Sequence, residues 1–445
     1  MSLVPVADHL AGILAGVRPL PELEVRLGDA LGHRLARPVA ASLAVPPWEN
    51  SAMDGYAVRF ADVAEAAPER PVTLRVVGDV PAGSPEDPPI GPGEAVRIMT
   101  GASLPTDADT VVQLEHTDRD DPAAPLASTV TVLRGPRAGM HVRRAGEDRR
   151  VGDPVAAAGT LVTGPVAAAL ASTGAGTAWV RRRPRVAVVA TGSELVAPGE
   201  RLGRGRIPDS NSLLLAGLVA DAGAEVAAVE HASDAPGDLE LVLARVVDGA
   251  APDVVVLTGG VSQGAHDPVR RAFAGSDAVR FTRVAMQPGK PQAVGRLGAD
   301  GPLLLGLPGN PVSVWVSFLV FARPLLLTLA GAPDDVVLPR PTLAVVETGW
   351  RTPGGRDQYL PARIAEAAGV ADARDAGPAL VGPAAALGSK SHLAASLAAA
   401  NGYAIVPAAD QGRHDDGRVH PGDVVAVVRL ALELPHPAGA PRGGV

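Results

Sequence analysis

Between residues 185 and 330, short apolar runs alternate with helix-length segments, and that alternation restricts this part of the chain to a layered α/β fold. Val254-Val255-Val256-Leu257 puts apolar side chains at consecutive positions, the pattern of a strand buried on both faces. Thr258-Gly259-Gly260 then breaks the run. Adjacent glycines reach backbone angles closed to other residues, so amide groups can turn toward an anion with no Cβ in the way. Asp267 falls where the next helix starts and can cap it or hold a metal. Residues 186–190 form a strand ending in Thr191-Gly192-Ser193-Glu194, and 303–307 one ending in Pro308-Gly309-Asn310-Pro311. Residues 281–286 lead into Gln287-Pro288-Gly289-Lys290-Pro291. Ser210 or Asn211 is set to cap a helix through Ala222, with Leu214, Leu215, Leu218 and Val219 on its apolar face and Gly223 as its stop. The spacing predicts a parallel sheet with right-handed crossovers, whose ligands bind beyond the carboxyl ends of the strands. The three turns Thr191-Gly192, Thr258-Gly259-Gly260 and Pro308-Gly309-Asn310 then share one rim, which favours a phosphate-bearing ligand.

At 445 residues the chain exceeds a single core, and roughly two to four domains are expected. A formal charge of −8 implies no basic face for nucleic acid. Four Trp, three Tyr and five Phe leave few platforms for stacking bases. No cysteine is present, which excludes disulfides, thiolate metal sites and cysteine nucleophiles and is compatible with a reducing cytoplasm. The N-terminus lacks the basic flank and long apolar run of a secretory signal. Residues 302–322 carry no charge and are long enough to raise a membrane reading. Pro308-Gly309-Asn310-Pro311 in their middle would break a spanning helix, so they read as strand, loop and buried helix in a soluble protein.

Outside the α/β region, residues 1–45 read as mainly helical, with Leu10, Ile13, Leu14 and Val17 in one apolar stripe. The polar cluster Asn50-Ser51-Ala52-Met53-Asp54-Gly55 precedes a strand-like Tyr56-Ala57-Val58; it is either an Asx turn that orders the loop or part of a site. From 72 to 134, short β-rich runs split by proline and glycine predict a small inserted β domain. Within it, Ile98-Met99-Thr100-Gly101-Ala102 ends a strand in a turn that offers a hydroxyl and amides. Asp107, Asp109 and Glu115 read as solvated surface acids. Residues 166–172 return to a helix-like, alanine-rich pattern expected to pack on 1–45. Arg181-Arg182-Arg183-Pro184 reads as a solvated connector. From about 332 the pattern is β-like again, with polar turns at Gly354-Gly355-Arg356 and Gly388-Ser389-Lys390-Ser391-His392, while 367–383 read as a loop-prone strip.

No Gly-x-Gly-x-x-Gly opens the α/β region, no Walker-type Gly-x-x-x-x-Gly-Lys-Ser/Thr is present, and none of the ten histidines sits in a recognisable nucleophile context. His266 reads as a surface or capping residue rather than a base. What remains is acids in turns: Asp54, Asp148, Glu194, Asp234 and Asp267. Carboxylates hold hard cations such as Mg²⁺, which neutralise phosphate charge. Lys290 and Arg356 can bind an oxyanion, one as a point charge and the other as a planar fork. These residues describe a multidomain enzyme acting on a phosphate-bearing ligand, with a second oxyanion.

Seven motifs in order carry a resemblance over nearly the whole chain: Asn50-Ser51-Ala52-Met53-Asp54-Gly55-Tyr56-Ala57, Arg97-Ile98-Met99-Thr100-Gly101-Ala102, Gly146-Glu147-Asp148, Thr191-Gly192-Ser193-Glu194-Leu195, Thr258-Gly259-Gly260-Val261-Ser262, Pro288-Gly289-Lys290-Pro291 and Leu307-Pro308-Gly309-Asn310-Pro311-Val312-Ser313. Together they resemble the molybdopterin molybdotransferases, the molybdenum insertases of molybdenum-cofactor biosynthesis, a family similar to the C-terminal domain of gephyrin.

The resemblance implies insertion of molybdate into adenylated molybdopterin with Mg²⁺, giving molybdenum cofactor and AMP. It implies a multidomain α/β plus β architecture: an elongated helical domain from 1–45 and 140–180, a small inserted β domain over 46–139, a central parallel α/β pterin-binding domain over 181–331, and a C-terminal β-barrel over 332–432, with 433–445 a disordered tail. It further implies a cytoplasmic homodimer, partners among molybdopterin adenylyltransferases and molybdoenzymes, and neither nucleic acid nor membrane as partner. Thr191, Gly192, Gly259, Gly260, Ser262, Pro308, Gly309 and Asn310 would bind the pterin nucleotide. Glu194, Asp234 and Asp267 would serve metal and catalysis with Lys290, while Lys290, Pro291, Ser313, Arg356 and Ser391 would surround molybdate. Asp54, Thr100 and Asp148 would reach the cleft from the partner subunit. One departure stands out: many members carry lysine where this chain has Gln287, and Arg283 stands where others are also basic. A molybdopterin adenylyltransferase would share the α/β domain, but the flanking β domains argue against it. A receptor-clustering scaffold would have no need of Asp267, Lys290 and Arg356.

Overall fold

A computed structural model describes residues 3–261, 267–365, 379–385, 392–411 and 416–430. Ser262, His266, Ser391, the strip as far as residue 378 and the C-terminal tail lie outside them.

The central unit is a six-stranded sheet whose strands we label β1 (Arg185–Thr191), β2 (Glu225–Ala232), β3 (Val254–Thr258), β4 (Val279–Arg283), β5 (Pro291–Arg296) and β6 (Leu303–Leu307). Their order is β2-β1-β3-β6-β5-β4. The first four in that order are parallel, and the consecutive apolar residues explain why: β3 is buried at every position, with Val254 and Val256 in the core on one side and Val255 and Leu257 in the core on the other. The expectation of a wholly parallel sheet is corrected at one edge. β5 runs antiparallel to both β6 and β4, so the sheet is mixed. The 281–286 run also ends sooner than expected, at Arg283, and Met286–Gln287 leaves the sheet.

One face is covered by Asn211–Asp221 and by the helix Pro311–Leu329, which contains a π-helical turn at Phe318–Ala322. That helix is long and apolar enough to cross a membrane, with a mean hydropathy of 1.9, but 89% of that stretch is buried within the fold. Its apolar surface is therefore taken up by the core, with Phe318 and Phe321 fully enclosed. The other face is covered by Asp238–Ala250 and Pro268–Ala272.

The small β domain is a five-stranded sheet in the order Thr110–Gln113, Gly55–Val58, Glu94–Ile98, Val72–Val80, Thr129–Val132, with separate cores on its two faces. The region from 342 to 430 forms a closed barrel: five strands pair in a ring that Asp357–Ala365 completes against Gly402–Val406. Met286–Gln287 pairs with Asp357 and Gln358 and joins this barrel to the α/β unit.

The helical reading of residues 1–45 is corrected. Their longest helix is Val6–Leu14; the rest is short strands and one 3₁₀ turn, with Glu22–Arg26 paired to Thr177–Arg181 and Val39–Ala40 to Pro154–Ala156. The helix Gly164–Ser172 does pack there, through Leu170 against Ala30 and Leu35. The first helix goes elsewhere: Val6 and Ile13 join the core of the α/β unit.

His9 lies on that helix, 2% exposed, edge-on to Phe321 at 4.9 Å, and among the described residues neither ring nitrogen has a hydrogen-bond partner. Burial, helped by the Arg280 charge, pushes its pKa down from 6.5 to about 4. The unfolded chain therefore binds a proton that the folded chain refuses between those values. Stability is unaffected by His9 above pH 6.5 and falls as pH drops toward 4, by about 3 kcal/mol at most. Urea unfolding midpoints of His9→Phe measured across this window should show a flatter pH dependence than the parent; equal slopes would contradict the burial assigned to this ring.

Candidate active site

Strand direction decides where the site residues meet. The parallel strands end at Thr191, Ala232, Thr258 and Leu307, all on one rim. Because β5 runs the other way, its first residue, Pro291, stands at that same rim, with Ala293 already opposite Gly306. β4 ends there too, with Arg283 opposite Pro291. Gly259, Gly309 and Lys290 therefore share one edge of the sheet.

The turns at this edge touch one another. Gly259 N–H donates to Leu307 O at 3.2 Å, and Thr258 Oγ1 donates to Pro308 O at 3.3 Å. A Cβ on Gly309 would lie 3.4 Å from Gly259 Cα. Gly259 has φ +86, and a Cβ there would fall 2.7 Å from Thr191 O and 2.9 Å from Thr191 Oγ1. Only glycine satisfies both demands.

Asn211 fastens two of these turns, a role not visible in the sequence. Its Nδ2 donates to Thr258 Oγ1 at 3.0 Å and to Gly309 O at 2.7 Å. A carbonyl only accepts, so the amide orientation is fixed. The expected cap by Ser210 or Asn211 is also corrected: Asp209 does that work, accepting from Ser212 N at 3.0 Å and Ser212 Oγ at 2.5 Å. The run Asp209-Ser210-Asn211-Ser212 was the available signal.

The acids sit on neighbouring loops. Asp234 Oδ2 accepts from Ser193 N at 2.9 Å, and Asp234 N returns a bond to Ser193 Oγ at 2.9 Å. Glu194 leans over Gly192, one carboxylate oxygen lying 2.5 Å from where a Cβ would be. Asp267, 7% exposed, caps Pro268–Ala272 by accepting from Arg270 N at 3.2 Å. Arg271 Nη2 donates to Asp234 O and ties that helix to the Asp234 loop. Among the described residues, no three acids or histidines gather closely enough to hold a metal by themselves. Hard oxygen donors on adjoining loops suit Mg²⁺ in its usual setting, where one or two carboxylates share the ion with phosphate oxygens.

A cationic corner lies beside them. Lys290 is held below the ordinary lysine range by Arg283 first, then by partial burial and Arg356. The turn that presents it is rigid: Gln292, buried, donates from Nε2 to Gly289 O at 2.6 Å and Ser317 Oγ at 2.8 Å. Gln292 and Ser317 drew no attention in the sequence because nothing local links residues so far apart. Ser313 is buried near the start of the helix Pro311–Leu329, and Asn310 holds its N-cap position.

Asp54 and Thr100 meet in the small β domain, while Asp148 lies on a separate turn beside Val45. Asp54 Oδ1 accepts from Thr100 N at 2.6 Å and Thr100 Oγ1 at 2.7 Å, so Asp54 serves a distant turn rather than a local Asx turn. Asn50 and Ser51 pair with Arg143 and Val142, and Asp148 N donates to Val45 O at 3.0 Å. Asp148 itself is exposed beside Arg149.

The close approach at Gly259 is testable by denaturant unfolding. Gly275 has φ +73 with open space around its missing Cβ, so Gly275→Ala should cost about 1–2 kcal/mol for backbone conformation alone. Gly259→Ala should cost about 1–3 kcal/mol more, because the neighbouring turn must move. Equal losses would mean that the turns are not packed together.

Comparison with known proteins shows the family. Residues 4–174 match the MoeA N-terminal region (domain I and II), and residues 187–328 match a probable molybdopterin binding domain. The chain is 39% identical over 409 residues to molybdopterin molybdenumtransferase 2 of Mycobacterium tuberculosis, covering 90% of this chain and 95% of that one. It is 33% identical over 399 residues to molybdopterin molybdenumtransferase of Bacillus subtilis, covering 88% and 87%. The crystal structure of the molybdopterin biosynthesis MoeA protein from Pyrococcus horikosii superposes with a TM-score of 0.72 at 27% identity, covering 97% of this chain and 100% of that one. The chain therefore belongs to the MoeA family of molybdopterin molybdenumtransferases.

Proposed function

We propose that this chain inserts molybdate into adenylated molybdopterin, releasing AMP and yielding molybdenum cofactor. The observation that carries the reading is the shared rim: glycine turns suited to a phosphate end beside acids and, one strand further along, beside a cation cluster suited to an oxyanion. Thr191, Gly192, Gly259, Gly260, Pro308, Gly309 and Asn310, with Ser262, would bind the pterin nucleotide through backbone amides and hydroxyls. Lys290, Pro291, Ser313 and Arg356, with Ser391, would hold molybdate through charge and hydrogen bonds. Asp267, with Asp234 and Glu194, would share a Mg²⁺ with the substrate phosphates, and the ion would stabilise the departing AMP. Holding both ligands on one rim would remove most of the entropic cost of their encounter.

Asp54, Thr100 and Asp148 would complete the cleft from a second copy of the chain, in a homodimer. The supply of adenylated pterin would fall to a molybdopterin adenylyltransferase and the product would pass to molybdoenzymes, in the cytoplasm that a cysteine-free chain suits.

Expression in cells lacking their own insertase should restore a molybdoenzyme activity. Asp267→Asn should not restore it, and full rescue by that variant would remove Asp267 from the mechanism. The shared cleft has its own test. Asp54→Asn and Lys290→Ala, each inactive alone, should recover about a quarter of parental activity when co-expressed in equal amounts, since half of the two-fold dimers then carry one intact site. No recovery would place both groups in one subunit's site.

A further inference from the structure

Among the described residues every Trp, Tyr and Phe but one is buried or half-buried; Trp48 alone is exposed, at 55%. An indole in water forgoes the burial that its large apolar area favours. Its backbone is nonetheless fixed on both sides. Before it, Val45 N donates to Arg149 O at 2.8 Å, Asp148 N to Val45 O at 3.0 Å and Gly146 N to Pro46 O at 2.9 Å. After it, Leu104 N donates to Glu49 O at 3.0 Å, Asn50 bridges Ser103, and Gly101 N donates to Ser51 O at 2.8 Å. Pro46 and Pro47 lead into the indole, and each pyrrolidine ring fixes its own φ. The one exposed ring therefore stands on a rigid base.

The segment that carries Trp48 also joins the residues assigned above to the partner side of the cleft. Its first residues hold the turn of Asp148, and it ends at Asp54, which binds Thr100. The residues around it are polar: Glu49 pairs with Arg144 at 2.7 Å and Asp148 with Arg149 at 3.2 Å. Leu43, exposed too, leans on Gly174 instead, where a Cβ would fall 2.8 Å from Leu43 Cγ. A lone ring in a polar frame lacks the continuous apolar centre of a protein interface and suits a small flat ligand. Adenylated molybdopterin carries two flat nitrogen heterocycles, the pterin and the adenine, and none of the rim residues assigned to it is aromatic. We propose that Trp48 reaches the cleft beside Asp54 and stacks on one of those heterocycles. This rests on the reading of Asp54, Thr100 and Asp148 as cleft residues.

Molybdate insertion by the purified full chain, with adenylated molybdopterin as the varied substrate, tests the assignment. Trp48→Leu keeps apolar bulk and loses the π-face; it should raise KM about tenfold, the usual scale for one lost base stack, and leave kcat within about twofold. Trp48→Phe keeps a ring and should hold KM within about threefold of the parent. Inhibition by AMP and by 6-hydroxymethylpterin tells the two heterocycles apart: Trp48→Leu should weaken inhibition by AMP if adenine is stacked, and by the pterin if the pterin is. Trp48→Leu should sediment as the parent does. Parental KM and inhibition constants in Trp48→Leu, with the parent active, would overturn the stacking and leave the insertase reading intact. A changed sedimentation, or equal losses in Trp48→Leu and Trp48→Phe, would also overturn it, by assigning the indole to packing. A parent that binds both inhibitors but inserts no molybdate would sink the insertase reading, and the stacking with it.

Discussion

The reversal of β5 against β6 is the constraint on which the rest of the site depends. In a wholly parallel sheet the start of every strand lies at the edge away from the ligand. A single antiparallel strand brings a strand's beginning to the edge where its neighbours end, so Lys290-Pro291 comes level with Leu307-Pro308. Two chemically different loops thus share a wall without either being long. The glycine turns offer backbone amides with no side chain between them, and the hairpin offers charge. Neither feature would do the same work alone, because amides without a cation bind a dianion weakly and cations without shape bind any anion.

Rigidity has been placed with care around that hairpin. Gln292 is buried and has both donors of its amide engaged, one on the Gly289 carbonyl and one on Ser317. Losing either partner would leave a buried donor unmet, at a cost of about 1–3 kcal/mol. The loop between them therefore has one arrangement, and Lys290 projects from a fixed base. Asn211 does the equivalent for the glycine turns, with a shorter side chain and the same logic. These two amides are what separates a rim of loops from a preorganised site.

Much of this could be read in the sequence because its signals are local. A run such as Val254-Val255-Val256-Leu257 can bury both faces only in the middle of a layered sheet, and it does so here. The short β runs between 72 and 134 became strands for the same reason, as β-branched residues between turn formers. The misreadings of helix partner and strand direction were non-local. Leu10, Ile13 and Leu14 do lie on one helix, with Val17 past its end, but periodicity does not name a partner, and the helix packs on the α/β unit rather than on its sequence neighbours. Strand direction is equally silent in a sequence, so the antiparallel hairpin at the sheet edge was missed. Asn211 and Gln292 look like ordinary polar residues until the chain is folded and their carbonyl partners arrive.

The site residues divide along the same line. Thr191, Gly259, Gly309 and Lys290 are legible because each belongs to a turn that interrupts a strand, and turns are local. The grouping of Asp54 with Thr100 is not, since a carboxylate can satisfy a hydroxyl and an amide 46 residues away as easily as its own loop. That pair also shows what the small β domain is built to hold. Asp54 has one oxygen engaged twice, which fixes the carboxylate's plane and leaves its other oxygen directed by the turn rather than by chance. The backbone around it is equally fixed, with Asn50 and Ser51 paired to Arg143 and Val142 and Ser51 N bonded to Ala102 O at 3.0 Å, so the carboxylate keeps one orientation.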